Sequence, residues 1–396
     1  MQKKKTYLNN VFILDGATGT QLHKLGLSAG VCPEEWILEN PEAIKQVQSA
    51  YKNAGSDAVY APTFGANRKK LPSHLDVYET NQKLLALCKE AVGDGVLVGG
   101  DMSPTGELLY PMGMMSEEEL IAVYEEQVKA FYDFGVDFIV IETMMDMAEV
   151  KCALSAVKNI YQDKKCPVFV TVTLEESGKM LTGTDPVTAL LLAEHYGADA
   201  FGFNCSTGPD KMIPLLDEIV PYASVPLITK PNAGLPHEEN GKTVFSMEPK
   251  EFKKYVRLLI EHGADIVGGC CGTSPEYIKE ISDLKIPVMP VRKKDFSFVS
   301  SQRKTVFIDD DTNFCAFHFV NESDPLDFCY DMQDADCDVI HLTFAENAEN
   351  AQNNKNAEEL IKNIAQMVTT PVFFDTEDEE IINLVHRYYT GAQRIQ

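Results

Sequence analysis

Gly263-Ala-Asp-Ile-Val-Gly-Gly-Cys-Cys-Gly-Thr273 holds the reading of the fold. A glycine suited to a left-handed helix cap precedes a short apolar run that stops on polar residues. Working outward, the same kind of run recurs at Val11–Asp15, Ala58–Thr63, Val96–Met102, Phe138–Thr143, Val168–Leu174, Ala200–Cys205, Pro226–Asn232 and Ile266–Cys271. Between these runs lie longer stretches of helical period such as Pro41–Ala54, Glu117–Phe134 and Pro249–His262, and Gly55, Gly135, Gly197 and Gly263 are placed to cap them. Eight such units predict an α/β fold, a (β/α)8 TIM barrel over residues 1–290, with a doubly wound open sheet as the alternative.

In a barrel of this kind the chemistry sits at the carboxyl ends of the strands. The runs finish on or near Asp15, Thr63, Asp101, Glu142, Thr173, Cys205, Asn232, Cys270 and Cys271, a set rich in carboxylates, amides and thiols. Three soft thiolates at strand ends can form a three-ligand zinc site with a fourth, tetrahedral position left for a substrate atom. The competing reading is a buried or vicinal-disulfide pair at Cys270 and Cys271, with Cys205 a small core hydrophobe.

Composition narrows the function. The 396 residues carry 35 basic and 60 acidic side chains, a net charge of −25 that repels nucleic-acid phosphates and anionic membrane surfaces. The apolar stretch Val11 to Leu14 behind Lys3, Lys4 and Lys5 is too short for a signal peptide or a membrane span. Ten cysteines without framework spacing predict a reducing, cytoplasmic setting in which most are free thiols or ligands. Cys32, Cys88, Cys152, Cys166, Cys315, Cys329 and Cys337 read as packing residues, and His195, His237 and His262 as ordinary surface or core histidines. Gly16-Ala-Thr-Gly-Thr20 has neither the spacing of a dinucleotide fingerprint nor the Lys-Ser/Thr of a P-loop.

Five ordered motifs carry a resemblance. They are Asp15-Gly-Ala-Thr-Gly-Thr-Gln-Leu22, Ala61-Pro-Thr-Phe-Gly-Ala-Asn-Arg68, Gly202-Phe-Asn-Cys-Ser206, Lys230-Pro-Asn-Ala-Gly-Leu-Pro236 and Gly268-Gly-Cys-Cys-Gly-Thr273. Over roughly residues 8 to 290 the chain resembles the homocysteine S-methyltransferase family, most of all the homocysteine-binding module of cobalamin-dependent methionine synthase. The resemblance implies a zinc ion on Cys205, Cys270 and Cys271, and homocysteine as the methyl acceptor. It also implies that Asp15 and Glu142 meet the amino-acid end of the substrate. The amides around Gly16, Ala17 and Thr18 suit its carboxylate, and Asn204 and Asn232 are placed to orient ligands or substrate. A free thiol, with a pKa of about 8.5, is mostly protonated at neutral pH, and metal coordination removes that proton. The expected reaction is methyl transfer to homocysteine, giving methionine. The donor expected is methylcobalamin on a separate corrinoid protein; alternatives are a small donor such as S-methylmethionine or a betaine, and a non-catalytic homocysteine- or zinc-binding subunit.

Past residue 290 the polar, basic stretch Arg292-Lys-Lys to Arg303-Lys304 reads as a linker over 291–305. Residues 306–396 then carry 19 acidic against 4 basic side chains, and so −15 of the total charge. Strands are predicted at Val306–Asp309, Val339–Phe344 and Val372–Asp375, with helices near Pro325–Gln333, Ala357–Val368 and Asp378–Tyr389. This small three-stranded α/β domain is similar to the opening third of a pterin-binding barrel. His341-Leu-Thr343 stands where that barrel has the pterin-holding Asp-x-Asn, which argues against folate binding, and no Asp-x-His-x-x-Gly corrinoid sequence occurs.

Overall fold

A computed structural model describes residues 10–110, 112–162, 164–239, 242–288, 295–318, 325–335, 337–344 and 351–394. The strands are β1 Phe12–Ile13, β2 Ala58–Tyr60, β3 Leu97–Met102, β4 Phe138–Met144, β5 Val168–Val172, β6 Ala200–Cys205, β7 Leu227–Pro231, the hairpin β8 Pro236–Glu239 and β9 Lys242–Phe245, and β10 Ile266–Val267. All but the hairpin join one parallel sheet in the order β1-β10-β7-β6-β5-β4-β3-β2. Across the remaining seam between β1 and β2, the Asp57 N–H donates to the Ile13 carbonyl at 2.7 Å and the Ile13 N–H to the Asp57 carboxylate at 2.8 Å. The sheet is thus a nearly closed (β/α)8 barrel, as the eight runs predict.

The helices form where local chemistry favours them. Pro41–Ala54 starts on a proline at its first position and stops at Gly55, whose φ of 104° only glycine adopts freely. Glu117–Phe134 opens with a capping box in which Ser116 and Glu119 satisfy each other's backbone N–H groups, and it buries Leu120, Val123, Tyr124, Val128 and Phe131 toward the sheet. Among the described residues no helix is long and apolar enough to cross a membrane.

Strand side chains alternate between two cores. One parity faces the helices and joins the large outer core. The other parity faces the barrel axis, where Phe12, Leu14, Ala58, Tyr60, Phe138, Val140, Phe169, Ala200, Ile228 and Ile266 form a separate cluster with Leu97 packed against it. Continuing that axial parity toward the strand ends leads to Asp101 on β3, Glu142 on β4, Asn204 on β6, Lys230 on β7 and Cys270 after β10. The apolar plug therefore ends in a polar layer, and that layer floors the mouth.

The C-terminal quarter departs from the predicted order. The stretch expected to be linker contains a strand, β11 Phe298–Ser300, whose residues are buried. It pairs antiparallel with β12 Thr305–Phe307 on one side and β16 Ala392–Arg394 on the other. Phe298 and Ala392 pack into the outer core of the barrel, so this sheet is built against it. The basic residues flanking β11 mask its apolar Phe298-Val299 centre, and one of its two partners, β16, lies some ninety residues away, beyond the reach of local pattern. The three-stranded parallel sheet does form, as β13 Phe314–His318, β14 Val339–Thr343 and β15 Val372–Asp375. Its first strand is Phe314–His318; the Val306 segment, expected in that position, belongs to the antiparallel sheet. Helices Pro325–Asp334, Ala351–Met367 and Glu379–Tyr388 accompany this sheet, with a core of its own around Ile340, Leu342, Ile361, Ile364 and Phe374. Cys315 and Cys337, expected as free packing residues, are disulfide-bonded to each other; the other eight cysteines are free.

Candidate metal and substrate site

Cys205 ends β6, and Cys270 and Cys271 begin the turn after β10. Their three sulfurs lie within 4.8 Å of one another, the one cluster of potential metal ligands among the described residues. The Sγ atoms of Cys205 and Cys271 are 3.8 Å apart. Two sulfurs of a tetrahedral zinc site with Zn–S bonds of about 2.3 Å are separated by about 3.8 Å. The soft donor set and its spacing fit a zinc ion.

The local backbone explains how the thiols are held. Gly269 has no room for a side chain, since a Cβ there would lie 2.3 Å from the Thr273 hydroxyl oxygen. That hydroxyl donates to the Cys270 carbonyl at 2.6 Å, and the Ala17 N–H donates to the Thr273 carbonyl at 3.1 Å. The Tyr51 hydroxyl ties Thr273 and Ala17 together from below. The Cys270 N–H donates to the Pro231 carbonyl at 2.8 Å, fixing the turn against β7. On the opposite side Thr143, Cys205 and Ser206 have φ of 61°, 59° and 50°, a left-handed conformation that costs a non-glycine residue on the order of 1–3 kcal/mol. Asn204 holds this strained pair of strand ends: its amide oxygen accepts from the Thr143 N–H at 2.9 Å and its amide nitrogen donates to the Thr143 hydroxyl at 2.7 Å. The same nitrogen lies 3.9 Å from the Cys270 sulfur.

Without a metal ion, mutual contact and burial push all three thiols up. Cys270 is pushed up by its contact with Cys205 and by burial. In Cys205 the Cys270 contact works the other way, but the Cys271 contact and burial prevail and leave it at about 11. Cys271, helped by Cys205 and opposed by Cys270 and burial, stands at about 12. Crowded thiols of this kind ionise together only beside a strong positive charge, which a divalent cation provides.

Beside them lies a buried charge network. The Asp15 carboxylate accepts from the Lys230 ammonium at 3.0 Å through one oxygen and from the Tyr60 N–H at 2.8 Å through the other. The Lys230 nitrogen sits 3.5 Å from the centre of the Tyr60 ring and 3.9 Å from a Glu142 oxygen. Burial opposes the charge on Lys230, but Asp15, Tyr60 and Glu142 outweigh it and hold its pKa well above the usual lysine value. Burial pushes Asp15 up against the pull of Lys230, raises Glu142 likewise, and raises Asp101 strongly with the added repulsion of Glu142. One oxygen each of Asp101, Glu142 and Asn232 is buried without a hydrogen-bond partner.

The expected site residues are therefore gathered at one mouth. Cys205, Cys270, Cys271 and Asn204 form one group, and Asp15 and Glu142 meet through Lys230. Of the loop expected to offer its amides, Ala17 has already spent its N–H on Thr273, which leaves Gly16 and Thr18. His195 packs on Tyr196 and His386, and His262 bonds Asp217, both outside the cysteine cluster; the His237 side chain lies outside the described residues. Lys230 is the residue that motif reading passed over. Its signal was present, as a lysine on the same parity as Ile228 inside a strand.

Residues 12–284 match the sequence model of a family described as homocysteine S-methyltransferase. The chain belongs to that family. Its curated relatives include methionine synthases of Mycobacterium leprae, 30% identical over 299 residues, and Mycobacterium tuberculosis, 32% identical over 291. These matches cover 70% and 69% of the chain but 24% of each relative, so the chain spans about a quarter of their length. Among solved structures, the metallated form of the homocysteine methyltransferase MmuM from Escherichia coli superposes with a TM-score of 0.58 at 22% identity, covering 71% of this chain and 97% of that one. The oxidised form of the same protein gives 0.59 at 23% identity, covering 70% and 96%. At these identities the likeness supports the barrel fold.

Proposed function

We propose that this family member is a zinc-dependent enzyme that transfers a methyl group to the sulfur of homocysteine, giving methionine. The observation that carries the proposal is the convergence of Cys205, Cys270 and Cys271 on one barrel mouth, beside a buried layer of carboxylates. A zinc ion held by the three cysteines would supply the charge that lets an incoming thiol lose its proton at neutral pH. The chain's own residues do the rest. Asn204 fixes the strand ends that present Cys205, and the Thr273 anchor fixes the turn that presents Cys270 and Cys271. Gly16 and Thr18 offer amides to the substrate carboxylate, and the unused Asn232 oxygen and the Glu142 carboxylate accept from its ammonium. The sulfur lone pair forms the new S–C bond as the donor's bond to the methyl carbon breaks. The bonding pair leaves with the donor, and the thiol proton is released when the substrate binds.

The donor we propose is methylcobalamin carried by a separate corrinoid protein. Its support is the resemblance to the cobalamin-dependent module, together with the likeness to methionine synthases. A donor panel tests both levels: the zinc-loaded protein is given homocysteine with free methylcobalamin, methyltetrahydrofolate, S-methylmethionine or betaine, and methionine is measured. Turnover with methylcobalamin alone is the expected result. Turnover with only S-methylmethionine or betaine overturns the donor but keeps the acceptor, and no methionine from any donor overturns the enzyme reading.

A further inference from the structure

The two turns that carry the cysteines are built differently. The turn of Cys270 and Cys271 places its left-handed conformation on a glycine, Gly272, with φ of 82°. It is bonded to the neighbouring strap on both sides, the Cys270 N–H donating to the Pro231 carbonyl and the Cys271 carbonyl accepting from the Ala233 N–H. The turn of Cys205 puts no glycine at those positions: Cys205 and Ser206 themselves take consecutive left-handed conformations, with φ of 59° and 50°. L-residues adopt that backbone at a cost, so it persists only where the surroundings hold it. Asn204 ties β6 to Thr143 just ahead of the two strained residues. The turn itself is gripped by Ser206. Its hydroxyl meets the Thr173 hydroxyl at 2.6 Å, accepts from the Leu174 N–H at 2.8 Å and lies 3.3 Å from the Asn204 carbonyl oxygen. Thr173 is anchored in turn, its N–H donating to the Met144 carbonyl at 2.9 Å.

We infer that Ser206, latched to Thr173 and Leu174 at the end of β5, is the positioning residue that keeps Cys205 in the thiol cluster. The hold of the Cys205 side on zinc therefore depends on hydrogen bonds made by residues that are not ligands. With the Ser206 hydroxyl removed, its bonds no longer oppose the return of Cys205 and Ser206 to negative φ. Rotation of those two residues carries the Cys205 sulfur, 3.8 Å from that of Cys271, out of the cluster. A ligand that is in place only part of the time lowers affinity by that fraction. The inference rests on the zinc reading and deepens it, by naming the pair of hydroxyls that pre-organises one of the three thiols.

The test measures zinc affinity of the full chain by competition with a chromophoric chelator, together with the sulfur-to-metal charge-transfer absorption of the protein loaded with Co(II). Ser206→Ala should weaken zinc binding about tenfold or more, the scale of losing a hydrogen bond that orients a metal ligand, and should diminish the charge-transfer band. Ser206→Gly also loses the latch but adopts φ of 50° freely, so its affinity should fall between those of Ser206→Ala and wild type. Thr173→Val should weaken zinc binding, and Thr173→Ser, which keeps the hydroxyl, should recover it. Ser206→Ala protein with wild-type affinity and an unchanged Co(II) spectrum overturns the inference and leaves the zinc reading standing. So does Ser206→Gly protein that binds zinc no more tightly than Ser206→Ala, or Thr173→Ser protein that binds it no more tightly than Thr173→Val. Wild-type protein that binds neither metal overturns both.

Discussion

Cys271→Ala protein should purify with little or no zinc and form methionine only at background level, whereas Cys337→Ala should keep both zinc and activity. The contrast follows from position. Cys271 is one of three sulfurs within 4.8 Å at the mouth, and a zinc site left with two thiolates loses both affinity and the charge that favours thiol ionisation. Cys337 is bonded to Cys315 in the C-terminal region, whose core is separate from that of the barrel. Metal content by atomic absorption and methionine by chromatography read the result directly. Equal losses in both variants would mean that the cysteine changes act through the fold.

Lys230→Met should be the most destabilising substitution at the mouth. It leaves Asp15 buried without its cation beside Glu142 and Asp101, and breaking a buried pair in this way costs roughly 3–5 kcal/mol. The sign of its pH dependence follows from the carboxyls. Asp15, Asp101 and Glu142 all have folded pKa values above their ordinary ones, so their protonated forms favour the folded state. That contribution is full below the unfolded carboxyl range and is lost as pH rises through the raised values. Without Lys230 the values rise further, so the deficit against wild type should grow from acid to neutral pH. Denaturant midpoints at several pH values measure it. Asp15→Asn added to Lys230→Met should restore part of the loss, because the charge left behind is then removed. A Lys230→Met protein as stable as wild type at neutral pH would contradict the buried pair.

Much of the barrel was legible because its strands are short apolar runs punctuated by left-handed glycines, a local pattern that Pro41–Ala54 and Glu117–Phe134 match residue for residue. The thiols were legible for the same reason, each sitting where such a run stops. What stayed hidden was non-local. The pairing of Phe298–Ser300 with Ala392–Arg394 joins distant segments, and nothing in the spacing of Cys315 and Cys337 says that they meet. Lys230 was visible as a letter in a motif, but its meaning depends on Asp15 and Tyr60, which β1 and β2 bring to it across the barrel axis. Asp101 was visible as a strand end. Its unused oxygen became apparent only when its neighbours were in place.

The central claim, that the three cysteines hold a zinc ion whose remaining position receives the substrate sulfur, is tested most directly by zinc X-ray absorption with and without homocysteine. The account predicts three sulfurs and one lighter ligand in the free protein, becoming four sulfurs at about 2.3 Å when homocysteine is added. A sulfur count that does not change on adding homocysteine, or a shell of nitrogen and oxygen alone, would contradict it.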